Sequence, residues 1–350
     1  MKKRITGALC ALILILAVIL SSCAGTEPRS ASFQSMDTLM SIKVYGGDSD
    51  LCDRLQARID SLDAQLDATD ENSDVYQLNQ NGKADVSSDT ADILTRALQL
   101  SKELDPAFDI TVYPAVKAWG FCSGDYRVPD DDELKKLAAK IDDTAVKSDK
   151  NTFTLPEGVM IDLGAIAKGY AADQCDAILK EGHAAAAVLN LGGTIKLYGK
   201  KPDGKRFSVG VADPDNPAGY FGYLSCEGGV VATSGGYERF FDLDGKRYIH
   251  ILDPATAAPV ENGVRSVTIL CDDGTAADAL STALFVMGLD KATAYYQAHP
   301  DFDFIILTDD DDLYITEGIM DDFTLSNGYD YKIHSVEIAT APTSVSGASQ

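Results

Sequence analysis

Leu55, Ile59, Leu62 and Leu66 recur every three to four positions, which predicts an amphipathic helix over residues 50–68. Residues 33–45 alternate apolar and polar and predict a strand before it. A second helix is expected to start at Ser88-Asp89, where short polar side chains suit a helix start, and to turn Ile93, Leu94, Ala97, Leu98 and Leu104 inward. Residues 130–140 and 165–181 predict a third and a fourth. Strands then dominate, at 185–191, 194–198, 207–211, 220–224, 230–234, 238–242, 247–250 and 264–270. Helices follow at 276–287 and 291–299, and two late strands, 304–307 and 313–316, are expected to close the fold. Strands in runs, joined by short turns such as Asp244-Gly245, imply antiparallel pairing. The pattern therefore reads as α+β, with mainly antiparallel sheets flanked by helices.

The ends do not follow this pattern. Lys2, Lys3 and Arg4 precede an uncharged apolar run over residues 7–20. At ~1.5 Å per residue that run spans about 21 Å, short of the ~30 Å hydrocarbon core of a bilayer. It reads as the apolar region of a signal peptide, residues 1–22, rather than a permanent span. The sequence Leu20-Ser21-Ser22-Cys23-Ala24-Gly25 resembles a bacterial lipobox, in which Cys23 becomes the lipidated first residue. The alternative is an ordinary signal peptide with a chance cysteine. Residues 23–32 are expected to be a tether, 33–336 one folded unit, and 337–350 a small, polar, disordered tail.

Charge narrows the function classes. The chain carries a net charge of −24, and loss of the first 22 residues removes three basic residues and no acidic one. Such a surface repels nucleic acid, which disfavours a DNA- or RNA-binding role. Beyond Cys10 and Cys23, five cysteines are scattered without paired spacing, and they read as buried small hydrophobes rather than a disulfide or zinc framework.

Four stretches carry residues suited to chemistry. In the first, Asp162-Leu163-Gly164-Ala165-Ile166-Ala167-Lys168 leads from a strand end through a glycine turn into a helix start, where free N–H groups suit an anion and Lys168 adds charge. Asp162 can equally be a cap and Lys168 a solvated residue. In the second, Asp278 and Thr282 stand four apart on one helix face, and a carboxylate with a hydroxyl suits Mg²⁺. They can equally be a dipole-favoured aspartate and a threonine bonded back to its own helix. In the third, His250 ends an apolar strand before Asp253-Pro254 and is either a catalytic or a satisfied core histidine. His183 and His299 look structural. In the fourth, the single tryptophan, Trp119, is followed by Gly120 and packs either on a planar ligand or in the core. No phosphate-binding glycine loop, GxSxG or HExxH occurs.

In order along the chain, Met36-Asp37-Thr38, Phe108-Asp109-Ile110-Thr111 with Trp119-Gly120-Phe121, the stretch 162–173, Asn190-Leu191-Gly192-Gly193, Ser234-Gly235, His250-Ile251-Leu252-Asp253-Pro254 and Ala277-Asp278-Ala279-Leu280-Ser281-Thr282-Ala283 resemble the FAD:protein FMN transferases, the ApbE family. The likeness runs over residues 33–317. It implies a T-fold-related architecture and Mg²⁺-dependent transfer of FMN from FAD to a Ser or Thr hydroxyl of an acceptor protein, with AMP released. It implies that Asp278, Thr282 and the carbonyl of Ala165 hold Mg²⁺, and that Asp162 and Lys168 contact FAD. Met36, Ala118, Trp119, Gly120, His250 and Ile251 are implied to line the cleft. The acceptors so implied are exported or membrane-bound redox proteins with a Thr/Ser-containing target motif, which suits a chain lipid-anchored at Cys23 on the outer face of the cytoplasmic membrane.

The attacking hydroxyl must lose a proton, and His250, with an ordinary pKa of ~6.5, is the leading candidate base, ahead of Asp278. Three positions depart from the family pattern: Asp37 replaces a usual Gly, Thr69 an aromatic residue, and Thr194 a common Asp. None is expected to touch the proposed metal pair. Two rival readings share these motifs: an FAD pyrophosphatase in which water replaces the hydroxyl, and a non-enzymatic FAD-binding lipoprotein.

Overall fold

A computed structural model describes residues 27–338; the expected signal segment, Cys23 and residues 339–350 lie outside them. A central sheet of nine strands runs through the molecule: β1 (Arg29–Ser35), β2 (Thr38–Tyr45), β3 (Ala186–Asn190), β4 (Thr194–Gly199), β5 (Gly229–Gly235), β6 (Val264–Cys271), β7 (Asp303–Thr308), β8 (Asp312–Thr316) and β9 (Lys332–Val336). Their spatial order is their chain order. Neighbours are antiparallel except β8 and β9, which pair in parallel.

Both faces of this sheet are covered, and the two-residue period of the strands sorts their side chains. Val230, Ala232, Phe304 and Ile306 point to one face and join the main core. Val231, Ile305 and Leu307 point to the other and pack on a second, three-stranded sheet of Phe207–Asp213, Asn216–Cys226 and Phe323–Leu325.

The first face carries the long helices, while Ile319 of the one-turn helix at 317–320 joins the cluster on the second face. Among the described residues the helices are α1 (Leu51–Leu66), α2 (Asp74–Asn81), α3 (Ser88–Leu104), α4 (Tyr113–Trp119), α5 (Asp131–Ala138), α6 (Ala167–Glu181), α7 (Gly274–Ala298) and the one-turn α8 (Glu317–Met320). In α1, Leu51, Leu55, Ile59, Leu62 and Leu66 are all buried, as the spacing requires. Burying each is worth about 1.5–3 kcal/mol. α3 starts at Ser88 as expected and is capped by the preceding Ser87, whose hydroxyl accepts from the Thr90 amide. α7 comprises the two helices expected at 276–287 and 291–299, which the non-helical Gly288, at φ 75° and ψ 170°, separates at a kink.

The structure corrects several expectations. The alternating stretch 33–45 is not one strand but the β1–β2 hairpin, whose turn residues Met36 and Asp37 sit at φ 48° and 59°. Alternation continues through a two-residue turn, so the pattern alone conceals it. β1 begins at Arg29, inside the stretch expected to be tether, and the Arg29 guanidinium clasps the carbonyls of Gly46, Gly47 and Asp48. β9, not the pair 304–307 and 313–316, ends the sheet. Residues 160–162 form only an isolated bridge, Met160 to Val112, rather than a strand end. The five cysteines are free, and Cys52, Cys175 and Cys226 are buried. No helix among the described residues is long and apolar enough to cross a membrane.

Candidate active site

α6 and α7 meet backbone to backbone. A methyl group on Gly169 would stand 2.0 Å from the Gly274 carbonyl oxygen, and one on Gly274 would stand 2.7 Å from that of Gly169. Glycine at both positions is therefore what lets the helices close. Asp173 of α6 reinforces the contact: its carboxylate accepts from the Gly274 and Thr275 amides and from the Thr275 hydroxyl, at 2.8, 2.9 and 2.6 Å. Those are first-turn donors of α7 that would otherwise lack partners.

This close approach places Asp278. It is 4 % exposed; Oδ2 accepts from the Gly169 amide at 2.9 Å, and Oδ1 accepts from the Thr194 hydroxyl of β4 at 3.0 Å. Lys168 Nζ stands 3.9 Å from Oδ2 and 3.4 Å from the Gly164 carbonyl oxygen. One turn along α7, Thr282 Oγ1 lies 3.2 Å from Ser234 Oγ on β5, and Ser281 Oγ lies 2.8 Å from the same atom. It is Ser281, through the Asp278 carbonyl at 2.8 Å, that bonds back to its own helix. Asp278 and Thr282 thus face inward, onto the ends of β4 and β5 and the turn before α6. Thr194 corrects the expectation that no departure from the family pattern touches the metal pair.

The donor set here consists of oxygens: one buried carboxylate, a hydroxyl, and the turn that contains Gly164 and Ala165. Among the described residues no three His, Cys, Asp or Glu side chains converge in a metal-holding arrangement. A soft metal or an all-protein cage is therefore not provided for. One carboxylate whose nearest cation stands off at 3.9 Å fits Mg²⁺, which fills its remaining positions with water and phosphate oxygens.

The helix start differs from the expectation of outward amides, because the Gly169 N–H is spent on Asp278. Asp162 Oδ1 accepts from the Gly164 amide at 2.8 Å, which shapes the turn. Burial pushes the Asp162 carboxyl above its usual range against that bond and the pull of Arg239 and Lys168.

A second wall is aromatic. Trp119 is 2 % exposed, packs on Tyr248 and Phe241 at ring distances of 5.4 and 6.4 Å, and donates Nε1–H to the Ala257 carbonyl at 2.8 Å. Its ring is a core anchor that fixes the hairpin Phe240–Leu243 and Lys246–Ile249, rather than a free platform for a ligand. Gly120, at φ 85°, ends α4, and a Cβ there would meet the Asp125 carbonyl at 2.2 Å. Ala118 precedes these two on the last turn of the same helix. Ile251 turns its side chain into the main core, so only its backbone is left to face a cleft.

His250 follows that hairpin. Its amide donates to the Arg239 carbonyl at 3.0 Å, and its Nδ1 lies 3.1 Å from the same oxygen, which assigns the proton to Nδ1 and leaves Nε2 as an acceptor. Burial first, then the charges of Arg239 and Lys168, pushes the ring down to about 4, against that backbone bond. Arg239 pairs at 3.4 Å with Asp37, so the β1–β2 turn reaches the same region, where Met36 donates its amide to Asp63 at 2.9 Å.

Lys168 acts electrostatically on Asp162, Glu238 and His250, which puts the phosphate-suited and aromatic parts within electrostatic reach of one side chain. A cavity of about 690 Å³, bordered by Arg206, Asp272, Asp303 and Glu317, shares no residue with these parts. Asp109 and Thr111 serve the frame instead: Asp109 Oδ2 accepts from the Asp143 amide at 3.2 Å and Thr111 Oγ1 from the Asp142 amide at 2.9 Å. Sequence reasoning assigned no role to Gly169, Thr194, Ser234 or Glu238. Gly169, Thr194 and Ser234 fall within or beside the recognised motifs, but no spacing along the chain links them to Asp278.

A family model described as the ApbE family matches residues 36–306. The FAD:protein FMN transferase of Haemophilus influenzae is 30 % identical over 315 residues, which cover 83 % of this chain and 89 % of that protein. The crystal structure of the ApbE protein from Thermotoga maritima superposes with a TM-score of 0.75 at 31 % identity, covering 86 % of this chain and 97 % of that one. The apo flavinyl transferase ApbE of Pseudomonas stutzeri does so with a TM-score of 0.74 at 26 % identity, covering 82 % and 92 %.

Proposed function

The chain belongs to the ApbE family, and on that premise we infer that it transfers FMN from FAD to an acceptor protein, with Mg²⁺ held at Asp278. The observation that carries the chemistry is the buried Asp278 carboxylate, 3.9 Å from Lys168 Nζ and one helical turn before the Thr282 hydroxyl. Asp278, Thr282 and the Ala165 carbonyl would hold Mg²⁺, which when bound neutralises charge on pyrophosphate oxygens. Lys168 adds a fixed positive charge beside them.

In the reaction, a Ser or Thr hydroxyl oxygen of the acceptor forms a bond to the FMN-side phosphorus. The bond from that phosphorus to the bridging oxygen breaks, and AMP departs with the electron pair. FMN is left in a phosphoester on the acceptor. The hydroxyl proton goes to a basic group of the site. His250 Nε2 faces this task as an uncharged acceptor. With its ring pushed down to about 4 it matches neutral pH poorly as a base and is better suited to orient the hydroxyl. His250→Ala is expected to bind FAD normally and to transfer FMN roughly 10²-fold more slowly. Flavin-binding titrations beside single-turnover transfer would check this, and full-speed transfer would remove His250 from the chemistry.

The decisive test of the whole reading is mass spectrometry of a candidate redox-protein acceptor after incubation with this protein, FAD and Mg²⁺. An FMN adduct on Ser or Thr, with AMP in equal amount, is the expected result. Free FMN with or without acceptor would make the protein a pyrophosphatase, and surviving FAD would make it a flavin carrier. We also propose lipidation at Cys23, which would hold the enzyme beside exported or membrane-bound acceptors. Cys23→Ser should move the protein from the membrane fraction to the soluble fraction, and unchanged partitioning would refute the anchor.

A further inference from the structure

We propose that Thr194 is a positioning residue for the divalent ion of this site: its buried hydroxyl fixes the Asp278 carboxylate and so sets how tightly the ion is held. The inference rests on the reading of Asp278 as a ligand of Mg²⁺ and deepens it.

Thr194 opens β4, and the strand leaves it little freedom. It lies opposite Ala232 of β5, and its carbonyl accepts from the Leu191 amide at 2.8 Å, which closes the Gly192-Gly193 turn. Its side chain is fully buried. A β-branched residue is stiff at χ1, so the direction of the hydroxyl is restricted before any ion arrives. That direction is toward α7, where Oγ1 donates to Asp278 Oδ1 at 3.0 Å.

The two-residue period of the strand puts Lys196 on the same face as Thr194. Lys196 is also buried, and its Nζ stands 2.9 Å from Asp176 and 3.9 Å from Asp173, both of α6. β4 thus supports both helices at their crossing, with Lys196 against α6 and Thr194 against α7. Of the two, Thr194 is the one that touches the proposed ligand.

What the hydroxyl does follows from the other contact of Asp278. Oδ2 accepts from the Gly169 amide at 2.9 Å. With Oδ1 held by Thr194, each oxygen has a protein donor, and the plane of the carboxylate is fixed. Lone pairs remain, since an ionised carboxylate offers about four acceptor sites. A cation therefore meets a carboxylate that is already oriented, and the cost of ordering it falls on folding rather than on binding. A carboxylate in place of the hydroxyl could accept but not donate, and would repel Asp278 as a like charge.

The test measures ion binding directly, with Mn²⁺ as the probe, by loss of the free-ion electron paramagnetic resonance signal. Binding that wild type shows and Asp278→Asn lacks separates this site from the rest of an acidic surface. Thr194→Val keeps the shape and removes the donor. It is expected to weaken Mn²⁺ binding at this site about 10–100-fold, the usual cost of losing a group that orients a metal ligand. Thr194→Ser returns the hydroxyl and should restore most of the binding. In transfer assays of Thr194→Val, the Mg²⁺ concentration giving half-maximal rate should rise by the same factor, with a smaller loss of rate at saturating Mg²⁺. A threonine that serves folding alone would lower the urea midpoint of Thr194→Val and leave its Mn²⁺ affinity at the wild-type value. That result would overturn the proposal, and so would a Thr194→Ser variant that binds as weakly as Thr194→Val. Mn²⁺ binding that survives Asp278→Asn unchanged would instead overturn the metal reading on which the proposal rests.

Discussion

Asp278→Asn is expected to cut Mg²⁺-dependent FMN transfer by about 10³-fold and to flatten its dependence on Mg²⁺ concentration. Both carboxylate oxygens already accept a hydrogen bond, from the Gly169 amide and the Thr194 hydroxyl. An asparagine keeps one oxygen and turns an N–H₂ toward the other donor. That buried donor loses its acceptor, at a cost of about 1–3 kcal/mol. Two separate losses are thus predicted: a modest one in folding stability and a large one in chemistry. Urea melts measure the first, and AMP release across a Mg²⁺ titration measures the second. A variant that is activated by Mg²⁺ as wild type is would remove Asp278 from the metal site.

Gly169→Ala should disable the enzyme without touching any group that meets substrate. The new methyl would sit 2.0 Å from the Gly274 carbonyl oxygen and 2.8 Å from Asp278 Cβ, and neither belongs to a flexible side chain end. Alanine gains about 1 kcal/mol over glycine in helix propensity, but overpacking against fixed backbone costs about 1–3 kcal/mol or more. Separation of α6 from α7 therefore wins, and the net stability loss should be near 2 kcal/mol. Asp278 moves with α7, away from Thr194 and Lys168, and a misplacement of ~1 Å is enough to cost roughly 10²-fold in rate. The measurement is transfer rate beside the urea midpoint. A variant as stable and as active as wild type would show that the helix contact does not set the site.

The long elements were legible because each buries one stripe. α1 shows its stripe in Leu55, Ile59, Leu62 and Leu66, and β5 and β7 carry the apolar residues that fill both faces of a sheet. Two short helices were not legible. α2 and α4 have eight and seven residues, about two turns, too few to display a period. The β1–β2 turn escaped because Met36 and Asp37 keep the alternation going while reversing the chain. At the site, the pairing of Asp278 with Thr282 was readable, since four residues make one helical turn. Trp119 was not: the same Trp-Gly pair suits a ligand platform or a core anchor, and only the Tyr248, Phe241 and Ala257 contacts decide for the anchor.

By itself the sequence determined the α+β composition, the antiparallel runs, the family and the residue types available for the chemistry, because periodicity and motif content are local properties of the chain. Only the tertiary structure decided which of those residues work together. Gly169 with Gly274 and Thr194 with Asp278 are joined by the crossing of elements 105 and 84 positions apart. Such contacts depend on how closely two backbones approach, and that distance is set by packing across the whole core rather than by any spacing along the chain.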